Sequence, residues 1–265
     1  MASTFNARNA AVYEMTMGRW SRRLAPDFLA FADIGDAPAV LDAGCGTGSL
    51  LFTLAQNPKH TRIAGIDASE IYVAAAQAAC TDSRIDIRHG DACALPYATD
   101  SFDAALSQLV LQFVPEPAAM AAELARVVRP GGVVAAAVWN SAGGMPHQRM
   151  FWDTAAMLDP EAARIRAHTF SRPMTRKGEL GALFAAAGLR QIRESAALVW
   201  MDFADFADFW EPIAGGEGTL GKYAASLPAA RAAELQARLR EAYESGLPDG
   251  KRNFACAAFL CRAVK

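Results

Sequence analysis

Short apolar runs alternate with longer amphipathic stretches through the first half of this chain. Residues 39–42, 63–66, 85–88, 102–107 and 133–139 have strand length and stop at glycine, proline or polar residues. Between them, the spacing predicts helices over 49–56, from Ser69 towards Cys80, and from Pro115 or Pro117 through Val127. Ser69 is placed to cap its helix, because a hydroxyl there accepts an N–H that otherwise has no partner. The opening stretch to about Asp33 reads as helix, with Arg19, Arg22 and Arg23 on one face, expected to be solvated. Arg129-Pro-Gly-Gly132 reads as a turn into the most apolar strand. Strand and helix alternating in this way predict an α/β fold with a parallel sheet covered on both faces.

Beyond Trp139 the rhythm loosens. Helices are expected over 148–158, 176–187 and 229–243, and strands over 189–199 and 253–262. Residues 202–210 are short and aromatic. Phe203, Phe206 and Trp210 recur at helical spacing, which favours packing in a lid helix over a substrate wall. Gly215-Gly-Glu-Gly218 reads as a surface loop or hinge. These patterns divide a single domain, 1–265, into a helical cap (1–35), a cofactor-binding core (36–199), a lid or substrate insertion (200–250) and a final strand (251–265).

Composition narrows the class. Hydrophobic residues make up 52% of the 265 and charged residues 20%, the balance of a packed globular chain. No apolar stretch is long enough for a membrane span. The start lacks the basic-then-apolar order of a signal peptide, so a cytoplasmic location is expected. A net charge of −2 offers phosphate backbones no general attraction, and nucleic acid is not an expected partner. Five cysteines with no CxxC pair read as free thiols, and no Cys/His spacing suggests a metal.

The strongest chemical signal is Val40-Leu-Asp-Ala-Gly-Cys-Gly-Thr-Gly-Ser49. Glycines between a strand and a helix let backbone approach a ligand closely. The helix start beyond them favours negative charge. The dinucleotide fingerprint GxGxxG resembles this run, but the third glycine, Gly48, comes one place early and Ser49 stands at the small-residue position. A second signal is Asp67, which ends the next strand, where a carboxylate accepts ribose hydroxyls. A third is Gly90-Asp91-Ala92, where a short acid would meet the exocyclic amine of adenine. His147, in Gly143-Gly-Met-Pro-His147, is a weak candidate base past the fifth strand. A solvated or capping role is the plainer reading. Cys45 reads as a small packing residue.

Together with Gly90-Asp91-Ala92-Cys-Ala-Leu-Pro96, Ser101-Phe-Asp103 and Arg129-Pro-Gly-Gly132, these motifs resemble the class I S-adenosylmethionine-dependent methyltransferases. The nearest resemblance is to the small-molecule branch that includes the quinone-biosynthesis enzymes. It spans roughly residues 10 to 140 and fades afterwards. The resemblance implies a Rossmann-like sheet of seven strands, mostly parallel with the last antiparallel, and methyl transfer from S-adenosylmethionine to a small-molecule acceptor. It places Asp42, Ala43, Gly44 and Gly46 around the methionyl part of the cofactor, with Gln108 nearby. Asp67 would hold the ribose, Ala68 would lie beside the adenine, and Asp91 and Ala92 would face its edge. Trp20, in a cap helix with Tyr13, Met17 and Ser21, would cover the cofactor. A nicotinamide-dependent oxidoreductase and a non-catalytic S-adenosylmethionine-binding protein are the competing readings. The acceptor atom, the catalytic base and the choice between monomer and homodimer stay open.

Overall fold

The computed structural model describes residues 9–216 and 218–265. The first eight residues and Glu217, part of the expected glycine loop, lie outside the described residues. The chain enters through α1 (Ala10–Tyr13), a π-helical turn (Glu14–Gly18) and α2 (Arg19–Ala32), which run on without a break. Strand–helix alternation follows: β1 (Ala39–Ala43), α3 (Ser49–Leu54), β2 (Arg62–Asp67), α4 (Glu70–Ala79), β3 (Ile85–His89), β4 (Phe102–Gln108), α5 (Pro117–Val127) and β5 (Val128–Trp139). The second half adds α6 (Pro146–Leu158), α7 (Pro160–Phe170), α8 (Glu179–Ala186), β6 (Arg190–Phe203), α9 (Phe206–Ala214), α10 (Gly218–Ser226), α11 (Ala229–Glu244) and β7 (Arg252–Val264).

The strands form one sheet in the order β3-β2-β1-β4-β5-β7-β6. The first five are parallel, and β7 runs antiparallel to β5 and to β6. The α/β, Rossmann-like sheet expected from the motifs is therefore present, antiparallel last strand included. Side chains alternate across it with the strand period of two. Val40, Ile63, Leu106 and Ala135 pack with Leu24 and Phe28 of α2 and Leu50 and Leu54 of α3. Leu41, Ala64, Ala105 and Val134 pack on the other face with Met120 and Leu124 of α5 and Leu180 and Phe184 of α8. Each fully buried Leu or Phe among them contributes roughly 1.5–3 kcal/mol of transfer free energy, so both faces hold the sheet in place.

Several expected boundaries move. Arg129-Pro-Gly-Gly132 is not a turn outside the strand but a bulge within β5: Phe102 pairs with Val128, and Ala104 next pairs with Val133. β6 continues past 199 to Phe203, because β7 pairs with it throughout, down to Phe203 opposite Arg252. Helix α7 occupies a stretch read as irregular. Asp159 caps it by accepting from Glu161 N–H at 2.9 Å, and Pro160 fills the first position. Gly218, expected in the glycine loop, is instead the first residue of helix α10. The helical layer over the C-terminal strand ends thus draws on 146–170 as well as 206–244, a wider span than the expected 200–250.

Candidate functional site

The parallel strands deliver their C-terminal ends to one side of the sheet, as right-handed crossovers require. The chain turns sharply after β1, with Gly44 at φ +84° and Gly46 at φ +54°. A Cβ on Gly44 would run into the Val110 side chain, so only glycine lets these two segments pass. At Gly46 the space a Cβ would take is open, the nearest atom being Tyr13 Oη at 4.0 Å. Backbone N–H groups of Gly44 and Cys45 both donate to Ile66 carbonyl oxygen, at 2.7 and 3.0 Å, which ties the loop to β2.

Asp67 locks the arrangement. Its Oδ2 accepts from Gly46 N–H at 2.9 Å and its Oδ1 from Ser69 N–H at 2.8 Å. Burial raises its pKa despite those two bonds. Ser69 caps α4 as expected, its Oγ accepting from Tyr72 N–H at 3.3 Å. Asp42 lies in β1 just before the loop at 1% exposure, and neither carboxylate oxygen has a partner among the described residues. Burial, and then the charge of Asp67, push its pKa well above the usual carboxylate range. Gln108, at the end of β4, donates from Nε2 to Ser21 carbonyl oxygen at 2.9 Å, leaving Oε1 buried and unpartnered.

Between these strand ends and the helical layer lies a cavity of about 590 Å³. Gly44, Gly46, Asp67, Ala68 and Gln108 line it. Ile71, Tyr72 and His89 extend the wall beside Ala68, and Tyr13, Met15, Thr16 and Met17 close it from the cap. On the far side stand Gln112, Phe113, Trp139, Ser141, Thr169 and Arg172, with Phe209, Ile213, Thr219 and Leu220 from the helical layer. Sequence reasoning passed over most of this far wall. Its members come from segments distant in the chain, and only their positions just past strand ends mark some of them beforehand.

Other expected residues take different places. Trp20 does not line the cavity. It is 1% exposed, packed edge-on against Phe203 at 5.5 Å between centroids, with Arg19 and Arg23 guanidinium groups over its ring. Ala43 is buried in the sheet core. Asp91 and Ala92 follow β3 beside the cavity rather than on its wall, and Asp91 Oδ1 accepts from Cys93 N–H at 2.8 Å in a local turn. The arginines of α2 are ion-paired as well as solvated, with Arg22 and Arg23 exposed as expected and Arg19 half-buried. Arg19 pairs with Asp208 at 2.7 Å, Arg23 with Asp202 at 2.7 Å, and Arg22 with Glu14. Phe203 and Phe209 line the cavity, while Phe206 and Trp210 stack in the core.

His147 reaches the cavity wall from the first turn of α6 but is 7% exposed. Burial, helped by Arg19, lowers its pKa to about 4, so the ring is neutral at pH 7. Nδ1 lies 3.5 Å from Cys256 Sγ. Cys45 is buried with its thiol pKa raised by burial, which fits packing rather than nucleophilic attack. Among the described residues no group of three or more His, Cys, Asp or Glu is placed to hold a metal ion, and no helix is long and apolar enough to cross a membrane.

Comparison with known proteins fits this geometry. Residues 41–136 match the methyltransferase domain family. Over that stretch, about a third of its length, the chain is similar to methyltransferase domains. The match supports the class I, S-adenosylmethionine-dependent kind that the glycine loop resembles and disfavours the nicotinamide-dependent reading. An uncharacterised protein of Mycobacterium tuberculosis is 32% identical over 120 residues, covering 45% of this chain and 44% of that protein. The chain thus spans under half the length of that relative. Demethylmenaquinone methyltransferase of Bacillus licheniformis is 29% identical over 164 residues, 58% of this chain and 71% of that enzyme. Phosphoethanolamine N-methyltransferase 2 of Haemonchus contortus, solved with phosphomonomethylethanolamine and S-adenosylhomocysteine, shares the fold. Its TM-score is 0.60 at 16% identity, over 97% of this chain and 56% of that one.

Proposed function

We propose that this protein transfers a methyl group from S-adenosylmethionine to a small-molecule acceptor in the cytoplasm. The observation that carries the reading is the convergence of three strand ends on one cavity. Gly44 and Gly46, Asp67, and Gln108 meet there, with the Gly46 N–H already bound to Asp67. The chain's own orphaned groups fit this cofactor. Asp42 and Gln108 Oε1 hold acceptor capacity that no group among the described residues uses, next to backbone only glycine can form. Gly44, Gly46 and Gln108 would hold the methionyl portion, and Asp42 would stabilise it from below the loop. Asp67 would accept from the ribose hydroxyls, with Ala68, Ile71 and Tyr72 against the adenine and Asp91 and Ala92 near its edge.

When bound, the cofactor supplies an electrophilic methyl group on its sulfonium. The protein's contribution is position: a cavity of this size, walled on both sides, holds two reactants in one orientation, an effect worth up to roughly 7–11 kcal/mol for well-aligned pairs. A neutral His147 would offer the acceptor a hydrogen bond rather than serve as a strong base. The similarity to demethylmenaquinone methyltransferase of Bacillus licheniformis supports a small-molecule acceptor. Five free cysteines fit a reducing compartment.

Calorimetric titration with S-adenosylhomocysteine tests the assignment. Wild type should bind, and Asp67→Asn should lose about tenfold or more in affinity, the loss expected when a charged acceptor is replaced at a buried hydrogen bond. Gly46→Val should fill the cleft and abolish binding while the variant still unfolds cooperatively. Normal binding by both variants would remove the cofactor from this loop.

A further inference from the structure

Two arginines line the cavity, and they are in opposite states. Arg19 is neutralised by Asp208 at 2.7 Å. Arg172, just past the end of α7, donates one hydrogen bond from Nη2 to Thr219 Oγ1 at 3.0 Å, and its guanidinium carbon lies 5.0 Å from the centre of the Phe113 ring. No carboxylate among the described residues pairs with it, and burial alone lowers its pKa. An unpaired cation against an apolar wall is costly unless an anion arrives. One turn earlier, Thr169 lines the same wall at 3% exposure, and its Oγ1 has no partner among the described residues. The indole N–H of Trp139, also on the wall, is buried and likewise without a partner among them. The acids that line the cavity, Asp67 and Glu70, sit on β2 and α4, whereas Arg172 follows α7 and Thr219 belongs to α10.

Resting on the methyltransferase reading, we propose that this chamber takes an apolar or aromatic acceptor bearing a single carboxylate, which Arg172 binds. The guanidinium presents a planar fork that matches a carboxylate in two parallel hydrogen bonds, and the Phe113 face fixes its plane. Thr169 and Thr219 hydroxyls and the Trp139 N–H supply further polar contacts, while Phe209, Ile213 and Leu220 enclose the rest of the molecule. A phosphate monoester fits worse. It carries close to two charges, and one guanidinium would leave the second uncompensated in an apolar chamber.

The test uses the full chain saturated with S-adenosylhomocysteine, titrated with benzoate, 4-hydroxybenzoate, indole-3-acetate and decanoate, each beside its primary amide, and with phenyl phosphate. Wild type should bind at least one acid about tenfold or more tightly than its amide, and Arg172→Gln should erase that preference, as expected when a hydrogen-bonded charge pair loses one partner. Arg172→Lys should keep part of it. S-adenosylhomocysteine affinity should stay unchanged in Arg172→Gln, and the melting temperature without ligand should be equal or higher, since a half-buried charge with no carboxylate partner among the described residues has been removed. Equal binding of acids and amides, absence of binding by every acid, or preference for phenyl phosphate overturns the proposal. So does loss of S-adenosylhomocysteine affinity in Arg172→Gln, which would assign Arg172 to the cofactor's own carboxylate. Failure of wild type to bind S-adenosylhomocysteine strikes the cofactor reading instead. The comparison of acid with amide, run on the free protein, then still decides for or against Arg172.

Discussion

Beneath the glycine loop, Asp42 keeps a carboxyl group away from water with no hydrogen bond to either oxygen among the described residues. A carboxyl whose folded pKa exceeds its unfolded value near 3.8 holds its proton in the folded protein where the unfolded chain has lost it. Its contribution to stability is therefore greatest below pH 3.8 and falls as pH rises through the raised value. Asp42→Asn removes that titration. Its melting temperature should match wild type near pH 4 and exceed it increasingly towards pH 8, while affinity for S-adenosylhomocysteine drops. A difference independent of pH would show that burial of the charge is not what Asp42 costs the fold. His147 has the opposite sign. Its pKa falls from 6.5 to about 4, so the unfolded chain binds the extra proton between those values and stability is lost as pH drops through that window. A shift of this size corresponds to about 3 kcal/mol. His147→Gln should flatten the limb, losing less stability than wild type between pH 6.5 and 4 in denaturant titrations. Parallel curves would place the acid sensitivity elsewhere.

The cap and the glycine loop are joined by the π-helical turn at Glu14–Gly18. Glu14 accepts from the Thr47 hydroxyl and pairs with Arg22, and a Cβ on Gly18 would lie 2.5 Å from the Glu14 carboxylate. Glycine at 18 therefore makes room for a side chain that ties the turn to the loop. Glu14→Ala should speed hydrogen exchange over residues 10–18 and weaken cofactor binding several-fold, leaving the sheet's protection intact. Unchanged exchange there would mean that packing of Tyr13 and Met17 suffices. Nothing in the sequence marks this turn, because an i→i+5 turn is rare and sits here inside one continuous helical stretch. By contrast β1, β4 and β5 were legible, since strands buried on both faces read as unbroken apolar runs. The glycine loop and Asp67 were legible for the same local reason: their chemistry is written within a few residues. Helix α10 was hidden by Gly218, read as part of a loop, and α7 went unread although Asp159 before Pro160 is the mark of a helix start. Arg172 could not be placed, because its neighbours Phe113 and Thr219 are brought to it only by the tertiary fold.

At the scale of the whole molecule, the cavity is the seam between two differently built halves. The sheet supplies a rigid floor through hydrogen-bonded strand ends. The roof is a helical layer held by aromatic contacts, with Phe203 edge-on to Phe209 at 5.5 Å and Phe206 and Phe209 both against Tyr243. A ligand in the seam touches cap, floor and roof together, so its binding free energy adds to the unfolding free energy of all three. At a hundredfold excess over Kd that addition is about 2.7 kcal/mol, roughly 5–10 °C in melting temperature for a chain of this length. S-adenosylhomocysteine should produce a shift of this order, with new exchange protection at 10–18 in the cap and at 44–48 and 67–72 on the floor. Roof residues 209–213 and 219–220 lie on the far wall and should gain protection only when an acceptor analogue is added as well. Protection of the roof by the cofactor product alone would mean that the two halves close on the first ligand, leaving the acceptor to enter a chamber already shut. The order of binding would then be reversed.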